Sequence, residues 1–152
     1  MILFFIVALL LSGITAFPIE TELAIANANI SFLPDFVRNW ISDVYVAVKT
    51  TNQQYPYLSY GTDWLAFAHI VIAVAFIGPL RDPVKNIWII QFGMIACIMI
   101  FPLAFIMGPI RGLPFYWQLI DCSFGVIGFM LLYFCYRNIL KLENLQTARG
   151  IA

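Results

Sequence analysis

The sequence predicts an all-α, polytopic membrane protein: a four-helix bundle with an amphipathic interfacial helix in its first long loop. Three observations carry that expectation. First, 62% of the residues are hydrophobic and only 11% charged, with a mean hydropathy of +0.91. A soluble domain carries about 25% charged residues. Second, apolar runs near the roughly 20-residue length of a membrane span recur along the chain. Third, the polar residues gather in one long segment, 18–63, and the later runs are joined by short turns. The 152 residues suit one membrane domain, 1–152. Eight basic residues balance eight acidic ones, so no net field points to nucleic acid as a partner.

The first run, 2–17, ends at Pro18 and is followed by Glu20 and Glu22. A cleaved secretory leader is the competing reading. Against it, no Lys or Arg precedes the run, and the small-residue triplets Ala24-Ile25-Ala26 and Ala26-Asn27-Ala28 lie far beyond it. Ala16 has Ile14 as a poor partner for cleavage. The run is therefore expected to remain as the first span.

Within the polar segment, Phe36, Val37, Trp40, Ile41, Val44, Tyr45 and Val48 recur at helical spacing, with Arg38, Asn39, Ser42, Asp43 and Lys49 largely between them. This predicts an amphipathic helix over 35–49, entered through Pro34, that lies in the interface or caps the bundle. Tyr55, Tyr57 and Tyr60 then lead to Asp63 and Trp64, as suits aromatics at head-group depth. Further spans are expected over 64–80, 87–107 and 115–136. The short turns between these three force sequential antiparallel packing.

Gly78-Pro79-Leu80-Arg81 is echoed by Gly108-Pro109-Ile110-Arg111. The pairs are read as helix stops, with Gly taking a left-handed cap and Pro unable to continue the ladder; an inverted repeat of transporter type is the alternative. Gly93 with Cys97, and Gly125 with Gly128, are expected to be packing surface, since small residues let helix backbones approach. Pro102 should kink its helix and free a backbone carbonyl. Cys97, Cys122 and Cys135 fall in apolar runs without ligand spacing. They are read as small hydrophobes, and neither a metal nor a cofactor is expected.

Basic residues set the orientation. With the N-terminus inside, the inner segments hold Arg81, Lys85, Arg137, Lys141 and Arg149, and the outer ones Arg38, Lys49 and Arg111. The excess predicts both termini on the cytoplasmic side.

Two ionisable side chains enter the hydrocarbon: His69, the one histidine, and Asp121. Helical rise puts each roughly 8–9 Å below the outer boundary. An Asp near a helix centre costs about 2.5–3.5 kcal/mol on the insertion scale, so it should face protein or water. Glu20, Glu22, Trp117 and Arg111 belong to the same side. The expectation is an outward-opening polar pocket under the amphipathic helix, built from His69, Asp121, Glu20, Glu22, Trp117 and Arg111. The alternative is a hydrogen bond that serves helix packing.

The plan of a first helix, a long outer segment with an amphipathic stretch, and three closely spaced helices resembles the emopamil-binding (EXPERA) proteins. The resemblance implies carboxylates, and in the isomerases a histidine, in a pocket open to the bilayer; His69, Glu20, Glu22 and Asp121 would take those parts. Ile72 and Ala73 stand where that family has a carboxylate one turn after the histidine.

The residues leave three functional readings. The chain binds or modifies a hydrophobic small molecule such as a lipid or isoprenoid, with His69 or Asp121 moving a proton if it is an enzyme. Or it is a structural subunit, in a homo-oligomer or against a membrane partner protein. Or it is a small proton-linked transporter, against which stands the lack of any helix polar along its length.

Overall fold

The computed structural model describes residues Met1–Ala148; Arg149, counted above on the inner side, lies outside them. Every regular element among the described residues is helical. The order is α1 (Ile2–Ala16), α2 (Ile19–Asn29), α3 (Asp35–Gln54), α4 (Pro56–Ala75), α5 (Ile77–Arg81), α6 (Ile87–Pro102), a π-helical turn (Leu103–Met107), α7 (Gly108–Ile110) and α8 (Phe115–Ala148).

Three helices are long and apolar enough to cross a membrane: Pro56–Arg81, Ile87–Ile110 and Phe115–Ala148, of 26, 24 and 34 residues. At 1.5 Å per residue even the shortest reaches about 36 Å, beyond the roughly 30 Å of a hydrocarbon core. The expected first span differs. α1 has 15 residues, about 22 Å, and makes a fourth candidate only together with α2, from which it is bent by 90°. The bend falls at Phe17-Pro18, where proline has no N–H to continue the ladder. Among the described residues there are therefore three helices able to span, or four if the bent pair is one.

The chain divides into two compact units, Val7–Ala73 and Met1–Ile6 with Val74–Ala152. In the first, α2 packs along α3. Glu20 and Glu22 sit in the first turn of α2, where the helix dipole favours negative charge. Asp35 opens α3 and pairs with Arg38 one turn on. The Tyr55 N–H closes α3 on the Thr51 carbonyl at 2.6 Å, and Pro56 opens α4 at the one helical position where proline costs nothing. Elsewhere in this unit α1 touches α4: a Cβ on Gly13 would stand 2.8 Å from the Ala66 carbonyl oxygen and 3.2 Å from His69 Cβ.

In the second unit α6 packs along α8. Gly93 meets Leu132, Cys97 meets Gly125 and Gly128, and Gly108 meets Gln118. Positions rise on one helix as they fall on the other, so the pair is antiparallel, as the short connection requires. The buried residues of α8 are Gln118, Cys122, Gly125, Gly128, Leu132, Cys135 and Ile139. Steps of three and four average 3.5, the repeat of a left-handed helix seam. All three cysteines are buried free thiols, two of them on this face of α8 and Cys97 on α6.

Two local expectations need correction. Gly78-Pro79 and Gly108-Pro109 do not stop their helices; each lies inside a further short helix, α5 or α7. Neither glycine has a positive φ; among the described residues Gly112 alone does, at 69°. Proline fits the first turn of a helix, so the chain ends its helices one turn later, at Arg81 and at Arg111-Gly112. At the first of these ends, Asn86 Nδ2 donates to the carbonyls of Asp82 (2.9 Å) and Gly78 (3.3 Å). The backbone N–H of Lys85 holds the Asp82 carboxyl below the usual carboxylate range. Pro102 does alter its helix: the ladder widens into π geometry over Leu103–Met107, because proline supplies no N–H to the carbonyl one turn back.

Candidate functional site

The polar residues that converge lie in the Val7–Ala73 unit. Asn52, in the last turn of α3, donates through Nδ2 to Glu20 Oε2 at 2.7 Å, and its side-chain carbonyl accepts the Ser59 hydroxyl. Three helices thus meet through one hydrogen-bonded line: Glu20 of α2, Asn52 of α3, Ser59 of α4. Each bond polarises the next, because donation to a carboxylate makes the amide a better acceptor at its oxygen. All three side chains are half-buried.

Beside this line is a cleft of about 210 Å³. Ile19, Ala47, Val48 and Leu58 give it apolar walls, and Thr51, Asn52, Ser59 and Thr62 supply hydroxyl and amide groups. The helical register explains the mixture. Val48, Thr51 and Asn52 share one face of α3, and Leu58, Ser59 and Thr62 one face of α4. The arrangement can hold an apolar body and hydrogen-bond its polar end.

The residues singled out from the sequence fall as follows. Glu20 belongs to the hydrogen-bonded line. Glu22, two residues on, is exposed, since positions i and i+2 point to different faces of a helix. His69 is half-buried on α4, with Nδ1 2.8 Å from the Leu65 carbonyl oxygen. When Nδ1 carries the proton in that bond, Nε2 is left as the basic nitrogen. Asp121 and Trp117 are half-buried on α8 and Arg111 is exposed after α7. Neither Asp121 nor Arg111 forms an ion pair among the described residues, where the ion pairs are Arg38–Asp35 and Lys85–Asp82.

Sequence reasoning misses Asn52 and Ser59. Both are neutral polar residues at the edge of the amphipathic stretch, and only their distance from Glu20 in space makes them matter. Among the described residues no group of three or more His, Cys, Asp or Glu side chains could hold a metal ion.

Fold and composition together define the class: an all-helical chain, among the described residues, with three helices, or up to four, long and apolar enough to cross a membrane. No protein-family model, curated protein or solved structure matches the chain.

Proposed function

We propose that this chain is an integral membrane protein that binds a hydrophobic small molecule with a hydrogen-bonding end, such as a lipid or isoprenoid, in the cleft between α3 and the start of α4. The observation that carries the reading is the Glu20–Asn52–Ser59 line beside apolar walls. The three groups satisfy one another, and the donor and acceptor positions left over in the line stand beside the apolar walls, where the polar end of a ligand can join them. The likeness in plan to the EXPERA proteins points the same way. His69 is the candidate proton-transfer group if the ligand is also modified. A role as an accessory subunit gains nothing from the glycine faces, because Gly93, Gly125 and Gly128 are used inside the chain.

Ligand retention tests this. Native mass spectrometry of the protein extracted in mild detergent should show a co-purifying small molecule, or one captured from a lipid extract. Asn52→Leu removes the amide and severs Glu20 from Ser59, and should lower retention by about tenfold or more, since a hydrogen bond to a charged group contributes about 1.5–3 kcal/mol. Equal retention by Asn52→Leu and the parent chain, at equal thermal stability, would refute the cleft as the binding site.

In the bilayer the proposed arrangement has both termini on the cytoplasmic side and α3 outside, with the bent α1–α2 pair counted as a fourth crossing. Tyr57 lies in the first turn of the helix Pro56–Arg81 and Lys85 just beyond its other end. In chains whose native cysteines are replaced, an impermeant thiol reagent applied to intact cells should label Tyr57→Cys and spare Lys85→Cys. The reverse pattern inverts the orientation.

A further inference from the structure

A second cleft, of about 300 Å³, lies in the same unit and shares no residue with the first; Phe17, Tyr60, Asp63, Trp64 and Phe67 line it. Residues 60, 63, 64 and 67 stand at i, i+3, i+4 and i+7 on α4, so one helix face carries them all. Trp64 meets Tyr60 edge-on, with centroids 6.0 Å apart at 78°, and meets Phe67 at 5.9 Å and 88°. Each edge-to-face contact occupies one face of one ring and leaves the remaining faces, the negative side of the aromatic quadrupole, uncovered by its partner. Phe17, from the bend after α1, supplies a further ring. The rings stay open to the surroundings, with Phe17 46% exposed, Trp64 57% and Phe67 51%.

Asp63 is half-buried in the cleft and makes no ion pair or hydrogen bond among the described residues. A cleft of aromatic faces with one uncompensated carboxylate is charge-complementary to a cation. It offers few hydrogen-bond acceptors, so a primary ammonium, with three donors to satisfy, fits it poorly. A quaternary ammonium has no N–H and takes its binding energy from ring faces and Coulomb attraction alone. The cleft also sits where the α4 sequence turns from polar (Pro56 to Asp63) to apolar (Leu65 onward), the depth at which tryptophan meets lipid head groups. We propose that this cleft binds the quaternary ammonium head group of a zwitterionic phospholipid, with Asp63 opposing its charge and Phe17, Trp64 and Phe67 covering its methyl groups.

The test places the full chain in nanodiscs of equimolar phosphatidylcholine, phosphatidylethanolamine and phosphatidylglycerol with identical acyl chains, then identifies the retained lipid by native mass spectrometry. The expected result is about a tenfold preference for phosphatidylcholine over each of the others. Asp63→Asn and Trp64→Leu should each bring the lipids to near parity, while Asp63→Glu keeps the preference. Millimolar choline chloride should leave the retained lipid in place. Equal retention of the three lipids by the parent chain overturns the proposal, as does a preference for phosphatidylethanolamine. So does an unchanged preference in both loss variants, or displacement of the lipid by choline, which would make the ligand a soluble cation. Trp64→Leu keeps the apolar bulk of the helix, so the test survives if Asp63→Asn fails to fold. Asn52→Leu should leave this preference intact, which separates the two clefts.

Discussion

Gly125→Leu should abolish the packed α6–α8 pair, the largest single effect expected of any substitution in this chain. A Cβ built on Gly125 stands 2.8 Å from the Cys97 carbonyl oxygen, with Ile100 Cβ and Cδ1 at 3.5 Å beyond it. The close neighbour is backbone, and it cannot rotate aside as a side chain can. Gly125→Ala alone therefore forces the helix axes apart. Overpacking costs about 1–3 kcal/mol where side chains can adjust, and the leucine adds three more carbons to a seam that has no room for the first. Separation also strips Gly128 from Cys97 Sγ, 2.9 Å from its own Cβ position. Hydrophobic burial cannot restore the pair in a bilayer, because lipid solvates apolar side chains as well as protein does, and close backbone approach is itself the source of association. Gly61 supplies the control: it is also helical, but nothing lies within 4 Å of its Cβ position. Gly61→Ala should be neutral or slightly stabilising from helix propensity alone. Thermal unfolding in mild detergent should rank Gly61→Ala with the parent chain, Gly125→Ala below it, and Gly125→Leu as aggregated or without a cooperative transition. A Gly125→Leu variant that melts alongside Gly61→Ala would mean that α6 and α8 do not pack through this seam.

That seam is legible in the sequence because its signal is local. Glycine or cysteine at three- and four-residue steps in an otherwise bulky apolar run marks a close approach, and 93, 97, 125 and 128 all take that part. Element boundaries are less legible wherever hydropathy and helicity part company. The apolar run of α8 stops near 136, yet the helix continues to Ala148, because no glycine or proline intervenes and Leu, Lys, Glu and Gln are good helix formers. α4 begins at Pro56 rather than near Trp64 for a similar reason: Pro56 opens a helix, and the tyrosines that suit a head-group loop are its first turns. α2 leaves no periodic signal at all. Its sequence, Ile19 to Asn29, has the alanines, glutamates and leucine of a helix but no single apolar stripe.

The site shows the same division. Glu20 stands out as a carboxylate beside an apolar run, whereas its partners Asn52 and Ser59 carry no charge, form no motif and lie on two other helices. Asp63 and Trp64 read as interfacial residues; only the edge-to-face arrangement along α4 turns them into a cleft. Residue chemistry can be read from a chain one letter at a time, but convergence of neutral polar groups depends on tertiary placement.

Gly108 and Gln118 should prove energetically coupled, and the sign of that coupling tests the connection between α6 and α8. Gln118 is the buried polar residue of the described chain, 4% exposed. Its Nε2 donates to the Leu113 carbonyl at 2.9 Å, while the Leu113 N–H donates to the Gly108 carbonyl at 2.9 Å. The amide thus ties the turn after α7 to the first turns of α8. A Cβ on Gly108 would lie 2.7 Å from Gln118 Cδ and 2.8 Å from its Cγ. Gly108→Ala must therefore push the amide away and break its bond to Leu113. A buried amide left without its partner costs about 1–3 kcal/mol. Gln118→Ala breaks the same bond from the other side and leaves a void as well, for a similar loss. In the double variant the alanine methyl at 108 enters the space that Gln118 vacated, and the bond can be lost only once. The combined loss should then fall short of the two single losses by about 0.5–3 kcal/mol, the range for residues in contact. Chemical or thermal unfolding of the four proteins in one detergent measures this directly. Losses that add to within about 0.5 kcal/mol, as they do for independent sites, would show that Gly108 is not small in order to make room for Gln118.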